Sequence, residues 1–342
     1  FQEKKHHVPH NFFESDFYAQ GVTYDVTPQA GASPYCETNL RKLFANQALV
    51  DPSDDDEIII TPSLLRSTFS ICNHDKTKDA DLGASITSWI NEALSYMSMG
   101  NFPYPSSYIL NGNGDLPAFP VRVACDYLAT DMTAPLHVKQ WLQGLASFAG
   151  VYYNYTHTLT CNTISAPVNH DEQIIETLWN YQYCSQIFQV LDTKTSPLDM
   201  FDNEPWDGSS VAHSCLQTYG FESDRTHFPL RYGTPLDWAR TQSNIVWSQG
   251  EYDPWKGGGV ITDLNDSLHA VVIPEAAHHL DLFFSHENDT QAVVKARQFE
   301  MNQVKKWITE KRQQYTRQSN NNNNNNNNEE KETNNNNNNN NN

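Results

Sequence analysis

The chain has 342 residues, of which 38% are hydrophobic and 12% aromatic, enough to bury a core spread over about two domains. Its 22 Lys and Arg against 41 Asp and Glu leave a formal net charge of −19, which argues against nucleic acid or an anionic membrane as a partner. No apolar run approaches the ~18 residues of a membrane span, and no basic-then-apolar leader follows Phe1. The acidic balance suits an acidic compartment. There carboxylates take up protons, the 13 histidines charge, and self-repulsion falls. A start at Phe1 rather than Met leads us to expect a piece of a longer protein, or a processed one.

Residues 1–11 are polar and His-rich and read as a mobile N-terminal segment. From 12 to 235 the pattern is mostly helical. Apolar residues recur at helical intervals in Leu40–Leu49, Ile86–Met97, Val138–Val151 and Glu172–Leu191, with Pro and Gly clusters between them. The acidic run Asp51–Glu57 lacks the ligand alternation and central Gly of a calcium loop and reads as a solvated loop or helix start. The character changes at 236. Asn244–Ser248 and His269–Ile273 are short β-rich runs, each followed by a polar loop. A long amphipathic helix then places Val293, Ala296, Met301, Val304, Trp307 and Ile308 on one face. Strand, loop, strand, loop, helix is the closing pattern of an open α/β sheet, and we assign it to 236–312. Residues 313–342, dominated by two Asn tracts, are expected to form a disordered tail.

Six cysteines stand at 36, 72, 125, 161, 184 and 215, with no C-x-x-C pair. Their even number fits three disulfides, with 15 connectivities open on spacing alone; six reduced buried thiols are the alternative. Sequons at Asn154, Asn265 and Asn288 favour an oxidising, glycosylating route.

Two loops carry chemistry. One reads Gly250-Glu251-Tyr252-Asp253-Pro254-Trp255; the other reads Glu275-Ala276-Ala277-His278-His279-Leu280-Asp281-Leu282. Each follows a predicted strand at its carboxyl end, where open α/β sheets build their sites. An Asp on one such loop and a His on the next form the second half of a triad in the order Ser, Asp, His. A serine hydroxyl needs an imidazole to take its proton, and the imidazole needs a carboxylate to fix its tautomer. Asp253 would be that carboxylate and His278 the base. A turn-forming Asp-Pro and a packed His pair are the plainer readings of the same residues. A metal-dependent hydrolase built on His278, His279 and Asp281 fits less well, because adjacent histidines aim poorly at one ion. We expect no metal and no cofactor.

The strings NIVWSQGEYDPWKGGG and EAAHHLDL resemble the Asp and His motifs of the lysosomal Pro-X carboxypeptidase and dipeptidyl peptidase II family of serine exopeptidases. Upstream, VYYNYTHTLTC, DLPAFPVRVACDYL and NYQYC resemble that family's inserted helical domain, so the resemblance spans roughly 12–312. It implies an α/β class: the C-terminal part of an α/β-hydrolase fold, with a large, mostly helical, disulfide-bonded insertion at 12–235 acting as a cap. It implies Asp253 and His278 as catalytic, and the pairs Cys36–Cys125, Cys72–Cys161 and Cys184–Cys215. The implied partner is a short peptide with proline near the cleaved end, in a lysosomal or secreted setting, and it leaves room for a homodimer. Trp255 would either wall a proline pocket or pack beneath its own loop.

The family's nucleophile string, G-G-S-Y-G, does not occur in the chain. Gly208-Ser209-Ser210-Val211-Ala212 comes nearest, but the acidic, turn-like residues before it do not form a strand feeding an elbow. The chain as it stands is therefore expected to be inactive, a fragment of a serine exopeptidase. A non-catalytic binding protein that kept the cap is the competing expectation. VYYNYTHTLTC leans towards the carboxypeptidase branch and SHENDTQAVVKAR towards the aminodipeptidase branch.

Overall fold

The computed structural model describes residues 16–45, 49, 60–107, 114–165, 177–187, 191–193, 198–224 and 226–338. The expectations for residues 1–11 and for the acidic run Asp51–Glu57 lie outside the described residues.

Helices fill the first part of the chain: α1 (Phe17–Asp25), α2 (Cys36–Phe44), α3 (Pro62–Thr68), α4 (Leu82–Met99), α5 (Pro120–Cys125) and α6 (Val138–Tyr153). The reason is legible in α6. Val138, Trp141, Leu142, Leu145, Phe148, Ala149 and Tyr152 recur at steps of three and four, and all are buried. They pack with Ile86, Ile90, Leu94 and Met97 of α4 and Leu40 and Leu43 of α2 in one hydrophobic core. A buried Asn39 survives at its centre because every polar atom is used. Its Nδ2 donates to the carbonyls of Leu128 (3.1 Å) and Thr130 (2.8 Å), and its Oδ1 accepts from Met132 N. Its own carbonyl accepts from the Trp141 indole at 3.0 Å.

Three disulfides staple this part. Cys36–Cys125 joins α2 to α5 inside the core, and Cys72–Cys161 joins the segment after α3 to the segment after α6. Cys184–Cys215 joins a π-helical turn, Tyr183–Ile187, to α8 (Gly208–Tyr219). That turn continues a short α7 described over 177–182. Helix α8 starts on Asp207, whose carboxylate accepts from the amides of Ser209 and Ser210. Ser210 thus sits in the first turn of a helix entered from a loop, not on a strand-to-helix elbow.

After α9 (His227–Tyr232) and α10 (Pro235–Thr241) come β1 (Ile245–Gly250) and β2 (Leu268–Ile273). They pair in parallel, Ile245 with Leu268 through Gly250 with Ile273. Parallel pairing puts both carboxyl ends, and so both motif loops, at one edge. Among the described residues the sheet has these two strands.

Helix α11 runs from Gln291 to Asn338, into the Asn-rich segment for which disorder was expected. Once nucleated, a helix gains one hydrogen bond per added residue, and the Glu, Lys, Arg and Gln of 310–314 are good formers that carry it into the Asn tract. Its apolar face is also only partly used. Val293 and Ala296 are buried, whereas Met301, Val304 and Ile308 are exposed.

Candidate active site

Each strand ends in a tight loop, and backbone bonds lock the two loops together. Glu251 N donates to Ile273 O at 3.0 Å, and Tyr252 N donates to Ala276 O at 2.9 Å. The Glu251 carboxylate adds a second tie. It accepts from Glu275 N at 3.0 Å and from the Tyr24 hydroxyl at 2.9 Å, binding both loops to α1. His278 N donates to the carbonyl of Met99 at the end of α4 at 3.1 Å, so the helical part positions the histidine loop directly. His279 adopts φ 60°, which turns the chain sharply after His278.

Gly250 makes the close approach possible. A Cβ there would lie 2.4 Å from Ala277 O and 2.6 Å from Ala276 O, both backbone atoms. Gly250→Ala must therefore push the loops apart, at a cost of about 1–3 kcal/mol. A denaturant titration should show that loss, with the His278 ring signals moving in NMR spectra; an unchanged midpoint would contradict it.

Within this frame the Nδ1 atom of His278 stands 2.9 Å from Oδ2 of Asp253. Asp253 is 3% exposed, and its other oxygen accepts from Trp255 N at 3.0 Å. A carboxylate can only accept, so Nδ1 carries the hydrogen and Nε2 is left as the basic nitrogen. The ring of His279 lies 3.7 Å from that of His278, and burial, then the neighbouring ring, depresses its basicity. Asp281 turns away from the histidine pair to accept from the Ser248 hydroxyl at 2.7 Å.

Behind Asp253 lies a cluster of ionisable groups, Asp25 buried and Glu251 and Lys256 half-buried, that the sequence reading missed. The ammonium of Lys256 donates to Glu251 O and lies 5.2 Å from the centre of the Tyr24 ring. Burial pulls it below the ordinary lysine value against the opposing fields of Asp25, Glu251 and Asp253. Asp25 on α1 is fully buried, and burial pushes its carboxyl well above the usual range despite Lys256. Glu251 and Lys256 were visible inside the motif strings; their bonds to α1 leave no trace in spacing. Trp255 is half-buried among aromatic rings, 4.9 Å from Tyr18, 6.3 Å from Phe17 and 6.2 Å from Trp179, and its indole nitrogen lies 3.3 Å from Met99 Sδ.

Residues 57–300 match the family described as serine carboxypeptidase S28. The chain belongs to that family. It is 34% identical over 223 residues to the human lysosomal Pro-X carboxypeptidase, covering 65% of this chain and 42% of the relative. A mouse lysosomal Pro-X carboxypeptidase matches at 28% over 279 residues, 82% of this chain and 53% of the relative. A prolyl carboxy peptidase like protein of Caenorhabditis elegans matches at 30% over 246 residues, 69% of this chain and 47% of the relative. The chain thus spans about half the length of these S28 relatives. The Asp253–His278 couple lies inside the span matched to the family.

Two of the sequons, Asn288 and Asn265, differ in their surroundings. Asn288 is exposed. Asn265 is half-buried against α10, with Nδ2 donating to Ala239 O at 3.2 Å and Oδ1 accepting from Ser267 N at 2.9 Å. A glycan on Asn265 would have to displace the Ala239 contact. Glycopeptide mass spectrometry of protein made in a secretory host should find Asn288 occupied and Asn265 bare. Full occupancy at Asn265 would contradict this.

Proposed function

We propose that this chain is the cap and the acid–base half of a serine exopeptidase that cleaves short peptides next to proline, in lysosomes or outside the cell. The carrying observation is the 2.9 Å contact between buried Asp253 and His278, on neighbouring loops at the carboxyl ends of parallel strands. In this reading Nε2 of His278 takes the proton of a serine hydroxyl and returns it to the leaving amine, while Asp253 steadies the imidazolium. The serine and the oxyanion hole would come from polypeptide outside the present sequence, in an α/β-hydrolase core to which β1 and β2 contribute two strands. Exposed Val272 on β2 and exposed Met301, Val304 and Ile308 on α11 support such a covering layer. The helical part, bonded to the histidine loop through Met99, would roof the cleft so that only a chain end enters. The aromatic rings around Trp255 suit a proline ring.

Of the two exopeptidase reactions we favour the carboxypeptidase, in line with the names of its relatives. Activity of the full-length protein on two proline peptides, one blocked at each end, tests this. The N-blocked, C-free peptide should be cleaved, and cleavage confined to the N-free peptide would overturn it. Failure to cleave either peptide would favour a non-catalytic binding protein.

A further inference from the structure

We propose that Arg297 and Glu300, one turn apart on α11, form a clamp that positions the His278 loop and loosens when Glu300, in contact with Asp281, gives up its proton. Its bearing on catalysis rests on the reading of His278 as the base.

The guanidinium of Arg297 spans the end of that loop. Its Nε donates to Asp281 O at 2.7 Å, its Nη2 donates to Leu280 O at 2.9 Å, and its Nη1 pairs with Asp289. These carbonyls lie two and three residues after His278, so the clamp fixes where the turn ends. Only a planar fork holds all three acceptors at once. The carboxylate of Asp281, near the end of the loop, is 6% exposed and tied to β1 by Ser248. Glu300 reaches the same carboxylate from α11, and its Oε1 is sealed from water with no donor among the described residues.

Two carboxyl groups in contact can hold together only while one keeps its proton. Burial, then Asp281, pushes the Glu300 carboxyl up to about 7, with Arg297 opposing. The other neighbours do not reverse this. Strand β1 contributes uncharged Ser248. Strand β2 contributes His269, which stands against Phe299 but is paired with Asp263 at 3.2 Å. Because the folded state keeps a proton that the unfolded chain releases, the stabilisation is full below pH ~4.5 and is lost as pH rises to ~7. The clamp is thus firm under acid conditions and weak at neutral pH.

Amide hydrogen exchange of the full chain tests this, corrected for intrinsic rates. The amides of His278 and Leu282, which donate to Met99 O and His279 O, are the reporters. Between pH 5 and pH 8 their protection should fall about tenfold in the wild type and by less than about twofold in Glu300→Gln. Arg297→Lys should lower protection at both pH values. A Glu300→Gln variant that follows the wild-type decline overturns the role of the Glu300 proton, and wild-type protection in Arg297→Lys overturns the clamp. Neither readout depends on peptidase activity, so failure of the functional reading would be seen separately.

Discussion

Asp253→Asn in the full-length protein should lower kcat on a proline peptide by roughly four orders of magnitude. Asparagine keeps the shape of the side chain and can still accept from Trp255 N, so the loop should stay folded. What changes is the tautomer. An amide can present its NH2 to Nδ1 of His278, which moves the ring hydrogen to Nε2 and removes the basic nitrogen from the reaction. Circular dichroism should show an unchanged fold, and steady-state kinetics should show the loss in kcat rather than in KM. A fall of less than about tenfold would remove Asp253 from the mechanism.

The second large effect concerns stability. Replacing Cys36 and Cys125 together by Ala should destabilise the chain by about 4–5 kcal/mol, because the bridge closes a loop of sequence separation 89. Both sulfurs also lie in the core with Leu40, Leu43, Val121 and Ala124, so their removal leaves unfilled space. Cys184–Cys215, with a separation of 31, lies in a small satellite cluster, and its loss should cost less. Urea titrations of the two double variants give the comparison. Equal midpoints for the Cys36/Cys125 variant and the wild type would contradict the argument.

The parts of this molecule that could be read in advance are those where local pattern and local chemistry agree. Val138–Tyr153 is helical because its apolar spacing allows little else, and β1 and β2 stand out as short β-rich runs, the second closed by Pro274. Asp253 and His278 were legible as types of residue in types of loop. The structure adds that they meet. What could not be read is whatever depends on distant partners. Met99 offers only a backbone carbonyl to His278, and a carbonyl has no sequence signature. Asp25 lies in a short helix without acidic neighbours, and nothing in its surroundings announces a fully buried carboxyl. Arg297 and Glu300 read as the polar side of an amphipathic helix. The same helix shows the limit of such a pattern: Met301, Val304 and Ile308 lie on its apolar stripe and are exposed, while Trp307 is half-buried. Periodicity reports which face is apolar, not what covers it.

The central claim is that Asp253 and His278 activate a serine supplied by polypeptide beyond this sequence. The measurement that reaches it most directly is labelling of the full-length protein with a fluorophosphonate, followed by mapping of the modified residue. The account predicts one labelled serine, in a G-x-S-x-G string preceding the segment that starts at Phe1, and loss of labelling in His278→Ala. Labelling at Ser210, labelling that survives His278→Ala, or no labelling at all would contradict it.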